Sequence, residues 1–228
     1  MKRATFNFFR PLLALLALKI LFFAVFFSAS SCNKESKPNK KLTDEQENAI
    51  RNFGQTLKSQ RTEILSFIER HKDEIEALNN SYLNNTPIAD ISLEDSINFI
   101  LNPSTKNATI VLNAFGATNQ DIIDSLGSIT DSRQVTAAFV VLGDENLIEP
   151  VLLSNNLMMS FFGTTAYAKP KWLECIGVAL GLETFNSLRH IFESGGQQGA
   201  KKILKEVAKR FLGPGAVLTV IGTYLWCM

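Results

Sequence analysis

The stretch that decides the fold is TDEQENAIRNFGQTLKSQRTEILSFIERHKDEIEALNNSYL, residues 43–83. It opens on Thr43-Asp44-Glu45-Gln46. There a hydroxyl is followed three positions on by a glutamine, and the two side chains can satisfy each other's free backbone amides at a helix start. Behind it, Ile50, Phe53, Leu57, Ile64, Phe67, Ile68, Ile75, Leu78 and Tyr82 recur at threes, fours and sevens. That is the period of a helix with one buried face. The spacing predicts one long amphipathic helix from about Thr43 to Leu83, or two helices broken near Gln60. Asn79-Asn80, Asn84-Asn85 and Pro87 end it. Gln60 and His71 fall where an apolar residue would continue the stripe, which argues against an extended dimeric coiled coil.

Downstream, the punctuation keeps the helices short. Ser92-Leu93-Glu94-Asp95 starts a helix carrying Ile97, Phe99, Ile100 and Leu101, expected to stop before Pro103. Asn107 to Phe115 reads as a third helix or a strand. Asn119 is the expected cap of Gln120 to Leu126, ended by Gly127, and Asp131 that of Ser132 to Leu142, ended by Gly143. From 146 to 171 the pattern loosens, and Met158-Met159-Ser160-Phe161-Phe162 is apolar without alternation. Three elements follow: a helix from Trp172 to about Phe192, a basic helix from Gln198 to Leu212, and an apolar helix from Ala216 to Trp226. The last is entered through Gly213-Pro214-Gly215. The fold class is therefore all-α: a compact helical bundle with one long N-terminal amphipathic helix and a C-terminal helical subdomain.

Upstream of this bundle the chain changes character. Lys2, Arg3 and Arg10 precede an apolar run from Leu12 to Phe27, broken by Lys19, and small residues then lead to Cys32. That is the order of a secretory signal. As an uncleaved span, the segment would place Lys19 in mid-bilayer at a cost of roughly 3 kcal/mol. Ile20 to Phe27 as a short signal core avoids that cost. Ala29-Ser30-Ser31-Cys32 resembles the lipobox of bacterial lipoproteins, with Ala29 where that family most often has Leu. The resemblance implies a diacylglycerol thioether on Cys32 and cleavage just before it. Asn33 in place of Asp implies transfer to the outer membrane. Residues 33–42 then read as a polar tether between lipid and domain.

Composition is globular, with 46% hydrophobic and 20% charged residues. The net charge of +1 hides an asymmetry, because Lys2, Arg3, Arg10 and Lys19 all lie in the signal. The remainder carries more acids than bases, unlike a nucleic-acid binder with its basic stripe. With Cys32 lipidated, Cys175 and Cys227 remain, an even number in an exported chain and the expected partners of a disulfide. They stand 52 positions apart, and closing so long a loop stabilises by roughly 4 kcal/mol on the chain-entropy account. Two buried thiols are the alternative.

No catalytic, cofactor or metal site is read from the sequence. His71 with Glu74 and His190 with Glu193 lack the further ligands that zinc needs, and the carboxylates Glu74 and Glu76 read as a solvated face. Nucleophile-elbow, zincin, P-loop and dinucleotide motifs are missing. One helix is distinctive: Lys201, Lys202, Lys205, Lys209 and Arg210 beside Ile203, Leu204, Val207 and Phe211. A basic amphipathic helix of this kind can lie on an anionic membrane.

These observations give five parts: signal 1–31, lipidated Cys32 and tether to 42, helical domain 43–145, irregular connection 146–171 and C-terminal subdomain 172–228. The expected function is that of a non-enzymatic outer-membrane lipoprotein, held to the membrane by its N-terminal lipid. It would bind or scaffold an envelope protein through the 43–83 helix and the segment around Met158 to Phe162. The alternative is a membrane-active protein working through residues 172–228; a third reading is an envelope hydrolase with a dispersed active site. Intact-mass measurement on the membrane-extracted protein should show loss of residues 1–31 and added acyl mass, both abolished by Cys32→Ala. An uncleaved, unacylated native chain would remove the anchor.

Overall fold

Thr43 begins the first helix as its side chains require. Its hydroxyl accepts from the Gln46 amide at 3.2 Å while Gln46 Oε1 accepts from the Thr43 amide at 3.1 Å. The computed structural model describes residues 42–86, 91–143, 171–195 and 198–228. All belong to one unit, Asn39–Met228. Among them every regular element is a helix, in the order α1 (Asp44–Arg70), α2 (Lys72–Leu83), α3 (Ile91–Ala114), α4 (Asn119–Leu126), α5 (Arg133–Leu142), α6 (Lys171–Leu180), α7 (Leu182–Ser194), α8 (Gly199–Arg210) and α9 (Pro214–Cys227). The all-α class is as the sequence predicts.

Several boundaries differ. The 43–83 helix breaks at His71, not Gln60: His71 leaves helical geometry at φ −116°, ψ 25°, and its ring lies 4.5 Å from that of Phe67. Gln60 is instead buried within α1. Its Nε2 donates to the Ile100 carbonyl at 2.6 Å, and its Oε1 accepts from the Ser104 hydroxyl. That pair of bonds bears on a second difference, because α3 runs straight through Pro103. The two separate elements expected around 92–102 and 107–115 are one helix. A proline lacks the amide that would bond four residues back, and side chains supply bonds nearby. Besides Gln60, Thr105 Oγ1 donates to the Leu101 carbonyl and Asn107 Nδ2 to the Pro103 carbonyl. Ile97, Leu101, Ala108, Val111 and Leu112 are buried on either side of the proline. Packing along that face outweighs the local break, whose cost is about 3 kcal/mol in an unsupported helix.

The cap of α4 is Thr118 rather than Asn119, in a reciprocal box with Asp121. Asp131 sits one position before the Ser132 cap of α5, where its Oδ1 accepts from the Arg133 amide at 2.9 Å. The helix expected from Trp172 to Phe192 is divided into α6 and α7 by Gly181. Its φ of 77° is a conformation that side-chain-bearing residues rarely adopt. Pro214 takes the first turn of α9, where a missing amide costs nothing.

The centre of the bundle is α5, whose residues from Gln134 to Val141 are all buried. The ring of Phe139 meets Phe53 of α1 edge-on at 5.7 Å and Tyr224 of α9 at 4.7 Å. Helices from 43–145 and from 172–228 thus share one core. Lys201 of α8 pairs with Asp121 of α4, which with the Thr118 cap holds that carboxyl down to about 2. Cys175 and Cys227 are joined, their Cα atoms 5.4 Å apart, linking α6 to the end of α9. The signal, Cys32, the tether through 41 and most of the 146–171 connection, Met158 to Phe162 included, lie outside the described residues.

Gln60→Ala should cost about 2 kcal/mol, since it strands the Ile100 carbonyl and the Ser104 hydroxyl. The urea midpoint should fall at unchanged slope, and Ser104→Ala should cost less in that background than alone. Additive losses would show that the two side chains do not act together.

Candidate functional site

The part of α3 that precedes Pro103 presents one polar face. Glu94, Asp95, Asn98, Phe99 and Asn102 fall on neighbouring turns, and all of them line an open cleft of about 640 Å³. Ser128, Thr130, Asp131, Ser132 and Arg133 form the opposite wall. Tyr82 and the turn Leu212-Gly213-Pro214 are the other described residues of the lining. Gly213 has φ 86°, and a Cβ there would collide with the Tyr82 ring, so the turn and the tyrosine fit together through glycine alone.

Two interactions fix the walls. The Tyr82 hydroxyl donates to Glu94 Oε1 at 2.8 Å, tying α2 to α3. Burial, then this bond to a carboxylate, pushes the phenol up to about 12. Arg133 Nε donates to both Asp131 oxygens, at 2.9 and 3.1 Å. Its Nη2 donates to the Leu126 carbonyl at 2.9 Å and its Nη1 to the Ala208 carbonyl at 3.3 Å. Those carbonyls lie in the last turns of α4 and α8, where the helix dipole favours a cation. The Asp131 hydrogen bonds raise the Arg133 pKa further. Arg133 is therefore a structural clamp between two helix ends.

Most of the free groups of the cleft lie on α3, and the Ser132 hydroxyl ahead of α5 is a further one. Among the described residues, the side chains of Asp95, Asn98 and Asn102 have no hydrogen-bond partner. Phe99, one of the apolar residues of the expected 92–102 helix, is 78% exposed at the rim. Protein-family models, curated proteins and solved structures give no match to this chain.

The residues singled out in the sequence do not converge here. His71 meets Glu74 on the surface of α1–α2, and Glu76 is exposed further along α2. His190 is exposed on α7, where Glu193 pairs with Arg189 at 3.4 Å. Among the described residues no group of three or more His, Cys, Asp or Glu side chains could hold a metal ion. Nor is any described helix long and apolar enough to cross a membrane. In α8 the apolar residues Ile203, Leu204 and Val207 are buried, while Lys202, Lys205, Lys209 and Arg210 face solvent. A second concavity lies where the exposed Trp226 overhangs Leu65, Ile68, Arg61 and Lys72.

The cleft was not legible in the sequence because the residues that face α3 across it, 128–133 and 212–214, are remote from it along the chain. A sign of its rim was nevertheless present. At 100° per residue, Phe99 lies about 200° around the helix from Ile97, off the stripe that Leu101, Ala108 and Val111 continue. A large aromatic opposite the buried face, beside Asn98 and Asn102, is the sequence sign of an exposed rim.

A phenol whose pKa rises on folding contributes stability below its unfolded value near 10, and that contribution is lost as pH rises through about 12. Tyr82→Phe should therefore lose less stability than the native protein between pH 10 and 12, read by urea unfolding. Identical pH profiles would mean that Tyr82 ionises as it does in the unfolded chain.

Proposed function

We propose that this chain is a lipid-anchored protein of the bacterial envelope whose helical domain binds a small polar ligand without transforming it. The observation that carries the reading is the α3 cleft, with Asp95, Asn98 and Asn102 unpartnered among the described residues. Ligand pockets commonly have this size and a few convergent polar groups. Polar side chains already engaged with protein would have to give up those bonds to meet a ligand; these three would exchange water alone. Of the three carboxylates that line the cleft, Glu94 is engaged by the Tyr82 hydroxyl and Asp131 by Arg133, which leaves Asp95 without a second free carboxylate to share acid–base work. Binding therefore suits the cleft better than catalysis does. The Cys32 anchor would hold it at the membrane surface on the 33–42 tether, as the lipobox resemblance implies.

The membrane-active alternative needs the apolar residues of the C-terminal helices at the surface. Ile203, Leu204, Val207, Val217, Leu218, Ile221 and Leu225 are buried instead. Exposing each would forfeit roughly 1.5–3 kcal/mol of burial, so insertion would require the shared core to open. The basic face of α8 remains a solvated surface under this reading.

A ligand at a hundred times its Kd stabilises by about 2.7 kcal/mol, some 5–10 °C in Tm for a domain of this size. Screening small polar compounds against the detergent-extracted native protein should find such shifts, abolished in Asn98→Ala/Asn102→Ala. A panel without any stabilising compound, or shifts that survive the double substitution, would remove the cleft as the binding site.

A further inference from the structure

Phe99 stands almost fully exposed on the lip of the cleft, one helical turn from both Asp95 and Asn102 and next to Asn98. An aromatic face carries partial negative charge and attracts groups with positive edges. Around it are two amides, each offering donors and acceptors, and a carboxylate that accepts. A ligand that matches this border needs hydroxyls, which donate and accept from one atom, set around an apolar face of C–H groups. Sugar rings have that anatomy.

Charge narrows the class. Glu94, Asp95 and Asp131 line the cleft, and among the described lining residues Arg133 is the one cation. Its guanidinium is turned to Asp131 and to the Leu126 and Ala208 carbonyls. A phosphorylated, sulfated or acidic ligand would meet net repulsion with no free cation to offset it. A cationic ligand would gain little from Asp95, since ion pairs at an exposed rim contribute weakly. It would also leave the hydrogen-bond donors of Asn98 and Asn102 unused. Neutral hydroxyls use every free group on α3, and their bonds to the Asp95 carboxylate are charge-assisted.

Resting on the reading of this cleft as a binding site, we infer that its ligand is a neutral carbohydrate, stacked on Phe99 and hydrogen-bonded by Asp95, Asn98 and Asn102. The test is a glycan array bearing neutral, sialylated and sulfated glycans, probed with the labelled native protein. Neutral glycans should bind. Phe99→Ala and Asn98→Ala should each weaken binding at least tenfold, while Glu76→Gln on the outer face of α2 leaves it unchanged. The two cleft substitutions alter exposed side chains, so Tm should stay near the native value. Binding restricted to acidic glycans, or neutral binding indifferent to Phe99→Ala, overturns the inference. A blank array also overturns it, and thermal shifts of the same protein then separate the two readings. If a compound such as spermidine stabilises it and Asn98→Ala/Asn102→Ala abolishes the effect, the cleft binds but the class is wrong. If nothing stabilises it, both readings fall.

Discussion

A ten-residue helix that is buried on every side dictates the rest of this bundle. In α5, Gln134 to Val141 are all out of solvent, and a helix apolar all round must be enclosed. Helices α3, α7, α8 and α9 pack against it, and α1 reaches it through the Phe53–Phe139 ring contact. Of its two buried polar side chains, Thr136 has a hydroxyl without a hydrogen-bond partner among the described residues, and Gln134 is fully engaged. Gln134 donates to the Ile129 carbonyl at 2.7 Å and accepts from Thr109 at 2.6 Å, so one side chain ties α5 to α3 and to the turn before it. Because α8 and α9 form part of the enclosure, the C-terminal helices cannot leave without exposing the centre. They are structural before they are anything else.

The disulfide acts on the same enclosure. Cys175 is buried on α6, and Cys227 is the last residue of α9. Residues 144–170 join α5 to α6 in the chain, but the covalent link holds α6 to α9 whatever course that connection takes. A crosslink that spans 52 positions reduces the freedom of the unfolded chain most where the loop is long. It thereby secures the helix whose attachment through the chain is longest.

Helical class was legible because period and caps agree: the Thr43 box and the stripe from Ile50 to Tyr82 read the same way locally and in the bundle. The disulfide followed from compartment and number. The boundaries were less legible where tertiary contacts override local rules. Pro103 breaks an isolated helix, yet here α1 lends Gln60 to the adjoining turn, a contact 40 or more residues distant in sequence. Gln60 itself looked like a defect in the stripe because its partners could not be seen. Gly181 was visible as a glycine, but its positive φ was not. The phase of Phe99 was readable within 92–102, but the cleft it borders is closed by residues far away in sequence.

The candidate site is a by-product of these structural demands. The helical period brings Asp95, Asn98, Phe99 and Asn102 to one surface of α3 ahead of Pro103, while Gln60 and Ser104 secure the opposite one. Arg133 has to neutralise two helix ends whose carbonyls lack intrahelical donors, and with Asp131 that task engages its guanidinium. The cleft is thereby left with carboxylates, amides and an aromatic face but no free cation on its described walls. Had the ends of α4 and α8 been capped by backbone alone and position 131 carried no carboxylate, Arg133 would be free to receive an anion, and the same concavity would select the opposite charge. The chemistry of helix termination thus sets what the cleft can accept.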